Sequence, residues 1–450
     1  MRSFAIFAAV LAALLVGSHP RAIGDAREYL AVAANLSRGE RPSLSRAQVE
    51  SAGLSGRLLH APDGRIDTIH FWAYPAVAAV PLAAVNALGG DPAIAFLIVN
   101  LAVLLAAAAL AAQRLSWPAM MLVFLSPALW WTDKIHTETF TFGLIALAMC
   151  ALPRHPMAAA VSLGLATAQN PPLAVLLALS AAASAVAGVP WRKVLPAFGA
   201  GTLIAATHPL YYAMRYGRPF PLAETTATRL SAQSFGAVLF DSNIGLVFND
   251  PFLPLAVAVF AAFVLARRAW TWTPWPPAAV ASAAVLLSVF GRVVNINHGG
   301  TPGMSRHAVW LIPLAIPLLP DRAAPQPRVA LAVLAICGAL WSIAYYRPSL
   351  DERFLEPTRT ARWLWSQHPA WTNPVPEVFA ERLRHRENVL PGPAATPDCA
   401  KILLWDGIGP AECGRMAVPA KCQLGPCYAN RRGEGTYQFV VAPPAYLPPR

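Results

Sequence analysis

Apolar runs recur along this chain, separated by short polar loops in which Lys and Arg collect, and that pattern predicts helices built to lie in a membrane. The predicted spans cover residues 4–16, 93–112, 118–131, 139–152, 157–168, 173–187, 195–214, 244–266, 277–294, 308–319 and 329–346. That makes about eleven by a hydropathy reading. Basic loops at Arg114, Arg154, Arg192-Lys193, Arg267-Arg268 and 322–328 alternate with loops assigned outside, which places the amino terminus, with Arg2, in the cytoplasm.

One stretch breaks the count. Residues 69–88 are long enough to cross, yet a crossing there would put all the later basic loops outside. The stretch carries Pro75 and Pro81, each removing a helical hydrogen bond, and follows a polar segment over residues 17–68. It is expected to lie in or dip into the outer leaflet. Other spans are short: residues 157–168 rise only about 18 Å as helix, against a hydrocarbon core of about 30 Å. Its outer end is Gln169-Asn170-Pro171-Pro172, and the similarly short span 118–131 ends at Asp133-Lys134-Ile135-His136-Thr137-Glu138. Charge at that depth is tolerated only inside protein or around a wet cavity, so a cavity open to the outer side is expected.

Composition agrees: of 450 residues 56% are hydrophobic and only 13% charged, with a mean hydropathy of +0.46. The fold class expected is an all-α polytopic membrane domain over residues 1–346, with a first outer loop at 17–92. The net charge of +12 sits in short loops and a polar tail, not on one soluble face, which excludes a nucleic-acid partner. No small-x-small cleavage site follows Val16, so the first run is expected to stay as a span and not to act as a signal peptide.

From Arg347 the chain turns charged and Pro-rich, and an odd span count puts residues 347–450 outside as a small α+β domain. Cys399, Cys413, Cys422 and Cys427 lie there, and two disulfides are their expected use in an oxidising compartment, with three pairings open. Residues 437–442 read as a strand.

Carboxylates are scarce, which makes Gly24-Asp25-Ala26-Arg27-Glu28-Tyr29 conspicuous just after the first span. Gly24-Asp25 ahead of an apolar helix is a good N-cap, and that role does not exclude catalysis. Glu28 and Tyr29 follow Asp25 at i+3 and i+4, so all three share one helix face. Asp25 can take a proton from an acceptor hydroxyl or help hold a divalent ion. A metal set of Asp25, His136 and Glu138, with Mg or Mn as the ion, is one expectation, and His70 can join it. No P-loop and no G-x-G-x-x-G occurs, which argues against a nucleotide-activated donor. Arg306, closing the run from Gly299-Gly300, lies outside against the positive-inside bias, where a guanidinium can grip a phosphate.

Together these residues resemble the membrane glycosyltransferases of the GT-C superfamily, in particular the protein mannosyltransferase and aminoarabinose transferase group. The resemblance is carried by the Asp25 motif after span one, His70-Phe71-Trp72-Ala73-Tyr74-Pro75, Ser126-Pro127 with Trp130-Trp131 and Glu138, residues 241–248 with Pro251, and the loop to Arg306 with Pro313. It covers most of residues 1–346. It implies transfer of a sugar from a polyprenyl-phosphate carrier to a glycan, lipid or protein acceptor on the outer face of a bacterial-type inner membrane. Asp25 is then the catalytic base, with Glu138 beside it. Glu28, Tyr29, His70, Tyr74, Gln169 and Asn170 are expected along the substrate path. Where such enzymes often carry a basic residue after the short fifth span, this chain has Gln169 and Asn170. That shifts the expected phosphate contacts toward Arg306 and Arg229.

Two other classes compete: a transporter or flippase of a polyprenyl-linked lipid, and a structural subunit of an envelope assembly. The first would favour repeated halves with paired broken helices, and no internal repeat is visible. The second would leave Asp25 and Arg306 without a task.

Overall fold

The computed structural model describes residues 2–54, 58–152, 154–221, 232–268, 272–292, 296, 301–387, 394–398, 400–404, 427–429 and 436–439. The described residues are mostly helical, 66% helix against 4% strand. Its elements run α1 (Arg2–Leu15), α2 (Ala26–Ser37), α3 (Arg46–Ser51), β1 (Leu58–His60), β2 (Ile66–Thr68), α4 (Ala73–Ala87), α5 (Ala93–Arg114), α6 (Trp117–Phe124) and α7 (Thr137–Ala151). Next come α8 (Pro156–Gln169), α9 (Ala174–Val186), α10 (Trp191–Tyr216), α11 (Ala232–Phe240), α12 (Leu246–Asn249), α13 (Phe252–Ala266), α14 (Trp275–Phe290) and α15 (Arg306–Leu311). The chain ends through α16 (Arg328–Tyr346), α17 (Arg359–Gln367), α18 (Pro376–Arg384), β3 (Ala394–Ala395), β4 (Lys401–Leu404), β5 (Cys427–Ala429) and β6 (Thr436–Phe439).

Two compact units emerge. The first takes Met1–Thr225, Phe252–Leu286 and Val309–Leu350; the second takes Thr226–Pro251, Leu287–Ala308 and Asp351–Arg450.

Within the first unit, α5 and α16 are long and apolar enough to cross a membrane. Val329, Val333, Ile336 and Leu340 form an exposed apolar stripe on α16 at helical spacing. Proline redraws several predicted spans. The span expected at 118–131 is α6 followed by a 3₁₀ turn, Pro127–Trp131, because Pro127 cannot donate the next helical bond. Pro251 likewise divides 244–266 into α12 and α13, and Pro313 and Pro317 turn the second half of 308–319 into the 3₁₀ segment Ile312–Leu318. In contrast α10 runs straight through Pro196 and Pro209, longer than expected at both ends.

Small residues set the closest packing. A Cβ on Gly164 of α8 would stand 2.5 Å from the Gly201 carbonyl of α10, and one on Gly201 would stand 2.5 Å from that of Ala160. Any side chain at either position would force these helices apart, the geometry that lets backbones meet where apolar solvent gives no hydrophobic drive. Between α6 and α7 every residue from 118 to 146 is buried, charged ones included.

The first loop folds onto this bundle. A capping box of Ser45 and Gln48 starts α3, and Val32, Leu44, Val49 and Ile66 close a small core beneath it. The hairpin β1–β2 then delivers Asp67 to the end of α10, where it accepts from Tyr211 Oη (2.6 Å), Arg215 Nε (2.6 Å) and Tyr216 Oη (2.5 Å). The stretch expected in the outer leaflet forms α4, whose 15 residues rise about 22 Å.

In the second unit α17 and α18 pack Trp365 on Phe379 at 4.7 Å, over a core with Leu364, Ala394 and Leu403. An antiparallel sheet of order β3-β4-β6-β5 lies in the same unit. The strand expected at 437–442 coincides with β6 over residues 437–439, and residues 440–442 lie outside the described residues. Cys399, Cys413 and Cys422 lie outside the described residues, and only the backbone of Cys427 is described. Arg229 and Gly299-Gly300 also fall outside them.

Candidate active site

The chain leaving α1 is stitched to the segment before α7. Arg21 N–H donates to Asp133 O (2.8 Å) and Ile135 N–H donates to Arg21 O (3.0 Å). The Arg21 guanidinium also donates to Leu350 O at 2.8 Å. Asn100, buried in the apolar face of α5, holds the same segment by donating to Thr132 O (3.2 Å) and Lys134 O (3.0 Å). These bonds fix His136 against the head of α2. Gly24 takes a left-handed φ of +49°, and a Cβ there would stand 3.5 Å from His136 Nε2. A larger residue would push the two apart.

Asp25 occupies the N-cap position of α2 but makes no side-chain capping bond. Its Oδ2 lies 3.2 Å from Nε2 of His70 and 3.4 Å from Nε2 of His136. The far nitrogen of each imidazole meets another carboxylate: His70 Nδ1 is 2.9 Å from Glu28 Oε2, and His136 Nδ1 contacts Glu138 Oε2. The five groups thus alternate as Glu28, His70, Asp25, His136 and Glu138. Burial grades along them: the side chains of Asp25 and His70 are 26% and 23% exposed, those of His136 and Glu138 only 3% and 1%.

Each carboxylate has a structural reason for its place. Glu28 is one turn beyond Asp25, so both reach one imidazole from a single helix face. Glu138 lies in the first turn of α7, where the helix dipole favours negative charge. An imidazole with carboxylates at both nitrogens can donate to both only in its doubly protonated form, so protons and charge are shared along the chain.

Aromatic rings wall the cluster. Tyr29 meets His70, Tyr74 and His136 edge-on at 5.7, 5.6 and 6.0 Å, and Trp131 lies 5.0 Å from His136. Tyr74 is fully buried, with its Oη donating to Asn100 Oδ1 (3.0 Å) and its N–H to Gln169 Oε1 (2.7 Å). Asn170 Nδ2 donates to Thr141 Oγ1 at 2.8 Å. Tyr74, Gln169 and Asn170, expected on the substrate path, are thus tied to neighbouring helices. Next door Lys134 pairs with Asp133, donates to Pro348 O at 2.6 Å, and lies over the Trp130 ring. Burial pushes the Asp133 carboxyl up, opposed by the Lys134 ammonium.

The metal set differs from the expected one. Among the described residues, Asp25, Glu28 and His70 each offer a ligand atom within 4.8 Å of one another. Two carboxylate oxygens and one imidazole suit a Mg²⁺ or Mn²⁺ ion. His136 and Glu138, expected in that set, pair with each other one step further in. Arg306 opens α15 in the second unit, beside His307, whose ring stacks on Phe290 at 4.4 Å.

Sequence reasoning missed Asn100 and the Asp67 cluster. A lone amide within the apolar run 93–112 was the available signal for the first. No spacing signals the second, since Asp67 and Arg215 are 148 residues apart.

No protein-family model, no curated protein and no solved structure matches this chain.

Proposed function

We propose that this protein is a multi-pass membrane glycosyltransferase of the GT-C type, which moves a sugar from a polyprenyl-phosphate carrier to an acceptor hydroxyl on the outer face of the membrane, with Asp25 as general base. The observation that carries this reading is the state of Asp25: at a helix start, yet turned from capping to two imidazoles, and still a quarter exposed. A carboxylate kept accessible and held in one orientation is suited to take a proton.

Support for the membrane part comes from α16. Only 28% of its apolar window is buried, where the core helix of a soluble protein would be mostly enclosed. The proposed topology has a cytoplasmic amino terminus and an outer first loop, with α4 in the outer leaflet and a tail outside that carries the disulfides.

In the proposed reaction the acceptor oxygen attacks the anomeric carbon while its proton passes to Asp25. The bond from that carbon to the phosphate oxygen breaks, and polyprenyl phosphate leaves with the electron pair. His70 and His136 hold the Asp25 carboxylate in line, and Glu28 and Glu138 orient those imidazoles from behind, as in other carboxylate–imidazole pairs. With a divalent ion between Asp25, Glu28 and His70, the imidazole would hold Asp25 through that ion instead of by direct contact, and the ion would offset charge on the leaving phosphate.

The test is to reconstitute the purified protein in liposomes with polyprenyl-phosphate hexose or pentose and a bacterial envelope extract as the source of acceptor hydroxyls, and to measure free polyprenyl phosphate by mass spectrometry. Release of the carrier is expected, lost with EDTA and regained with Mn²⁺ where the ion takes part. Donor that crosses the bilayer intact makes the protein a transporter. Release indifferent to EDTA removes the ion from the mechanism.

A further inference from the structure

At the other end of α1 and α6 the first unit holds a cavity of about 690 Å³. Arg2, Arg322 and Arg328 line it together with Ser116, Gln326 and Trp117. The wall is built by backbone pairing: Leu115 bridges Asp321, Ser116 N–H donates to Pro320 O (3.4 Å), and Arg322 N–H donates to Arg114 O (2.7 Å). That pairing clamps the loop before α6 to the loop before α16, so Ser116 and Arg322 face one volume.

Three observations point to an anion. Among the described residues, the guanidiniums of Arg2, Arg322 and Arg328 make no ion pair, and Asp321, next to Arg322 in the chain, is held by Arg114 at 3.2 Å. Ser116 sits at the N-cap of α6 without capping it, is 5% exposed, and has an Oγ with no partner. Gln326 Oε1 is likewise enclosed and unpartnered. Buried polar atoms without partners are uncommon in folded proteins, and three solvent-facing cations around one space raise the local concentration of anions there. Positive-inside bias accounts for arginines at this end. It does not account for an enclosed, unpartnered hydroxyl beside them.

The shape narrows the ligand. The volume far exceeds what a phosphate ion needs, its wall includes Leu115, and the Trp117 indole at the rim is 47% exposed. Such a ring suits the boundary between headgroup and acyl chain.

We propose that this cavity binds a phosphate ester, and that the ester is the headgroup of an anionic phospholipid. The site is independent of the chemistry assigned to Asp25; its lipid source rests on the membrane reading. Arginine forks match phosphate oxygens bidentately, which gives Arg322 and Arg328 the main role.

A second basic groove supplies the control. Arg154, Arg192 and Lys193 line a cavity of about 750 Å³, with no enclosed, unpartnered polar atom among its described lining residues. The test uses detergent-purified protein titrated with phosphatidylglycerol, phosphatidylcholine and soluble glycerol 3-phosphate, with bound ligand read by native mass spectrometry. Wild type should retain phosphatidylglycerol over phosphatidylcholine. Arg322→Gln/Arg328→Gln should weaken that retention at least about tenfold, since each charge-assisted pair is worth about that factor. Arg192→Gln/Lys193→Gln, which removes the same charge, should leave it unchanged. Ser116→Val should weaken it too, without altering any charge. Glycerol 3-phosphate bound with the same arginine dependence, in the absence of phosphatidylglycerol binding, would keep the phosphate site and overturn the lipid source. Equal retention by both double variants, or no preference between the two lipids, would overturn the site.

Discussion

Asp25 Oδ2 stands 3.2 Å from His70 Nε2 although the two residues belong to separate elements of the first loop, one heading α2 and the other preceding α4. In the proposed mechanism His70 orients Asp25 and does not touch the reacting atoms. His70→Ala should therefore lower kcat by about 10- to 100-fold with a smaller change in KM. Combined with Asp25→Asn it should add little, because residues acting as a unit are not additive. A full product of the two effects in the double variant would mean that they act separately.

Gly24 tests the close approach to His136. Gly24→Leu and Gly39→Leu both place a side chain on a left-handed backbone, φ +49° and +74°, at a cost of about 1–2 kcal/mol each. At Gly24 the Cβ alone already stands in contact with His136, at 3.5 Å, so the atoms beyond it crowd the ring; at Gly39 the Cβ meets open space. Comparable losses of thermal stability are expected, with lost turnover for Gly24→Leu alone. Equal turnover in the two variants would remove His136 from the site.

Asp67 is the lock between the first loop and α10. Asp67→Ala removes the acceptor of Tyr211 and one of two from Arg215, which keeps Asp63, and from Tyr216, which keeps Leu59 O, and should destabilise the detergent-purified protein by about 1–3 kcal/mol. Arg46→Ala, which breaks an exposed i,i+4 pair with Glu50, should cost under about 0.5 kcal/mol. Thermal unfolding of both variants checks the contrast.

Helical periodicity alone puts Asp25 and Glu28 on one face, and both do reach His70. The break after α6 was foreshadowed by the shortness of the predicted span, and Pro127 locates it. Other features depend on contacts far apart in the chain. Asp25 looked like a cap, and only the bridge from Arg21 to Asp133 and Ile135 brings His136 close enough to draw its carboxylate elsewhere. Glu138 and His136 both stand out in the sequence as candidate metal ligands; that they pair with each other shows only in the fold. Gln169 stood out as an amide in place of a cation; its role in receiving the Tyr74 N–H depends on how α4 and α8 meet, which no local pattern records.

The position of α4 decides the topology. With α4 in the outer leaflet, single cysteines at Arg65 and Asp91 should both react with an impermeant thiol reagent applied outside intact cells. A reporter fused after Asp91 that works only in the cytoplasm would make α4 a full span and invert the sidedness of everything after it.

The most direct test is turnover by Asp25→Asn. The substitution keeps shape and removes basicity, so purified variant in liposomes should release polyprenyl phosphate about 10²- to 10⁴-fold more slowly than wild type while eluting and melting like it. Normal turnover by the folded variant would contradict the general-base role on which the proposed function stands.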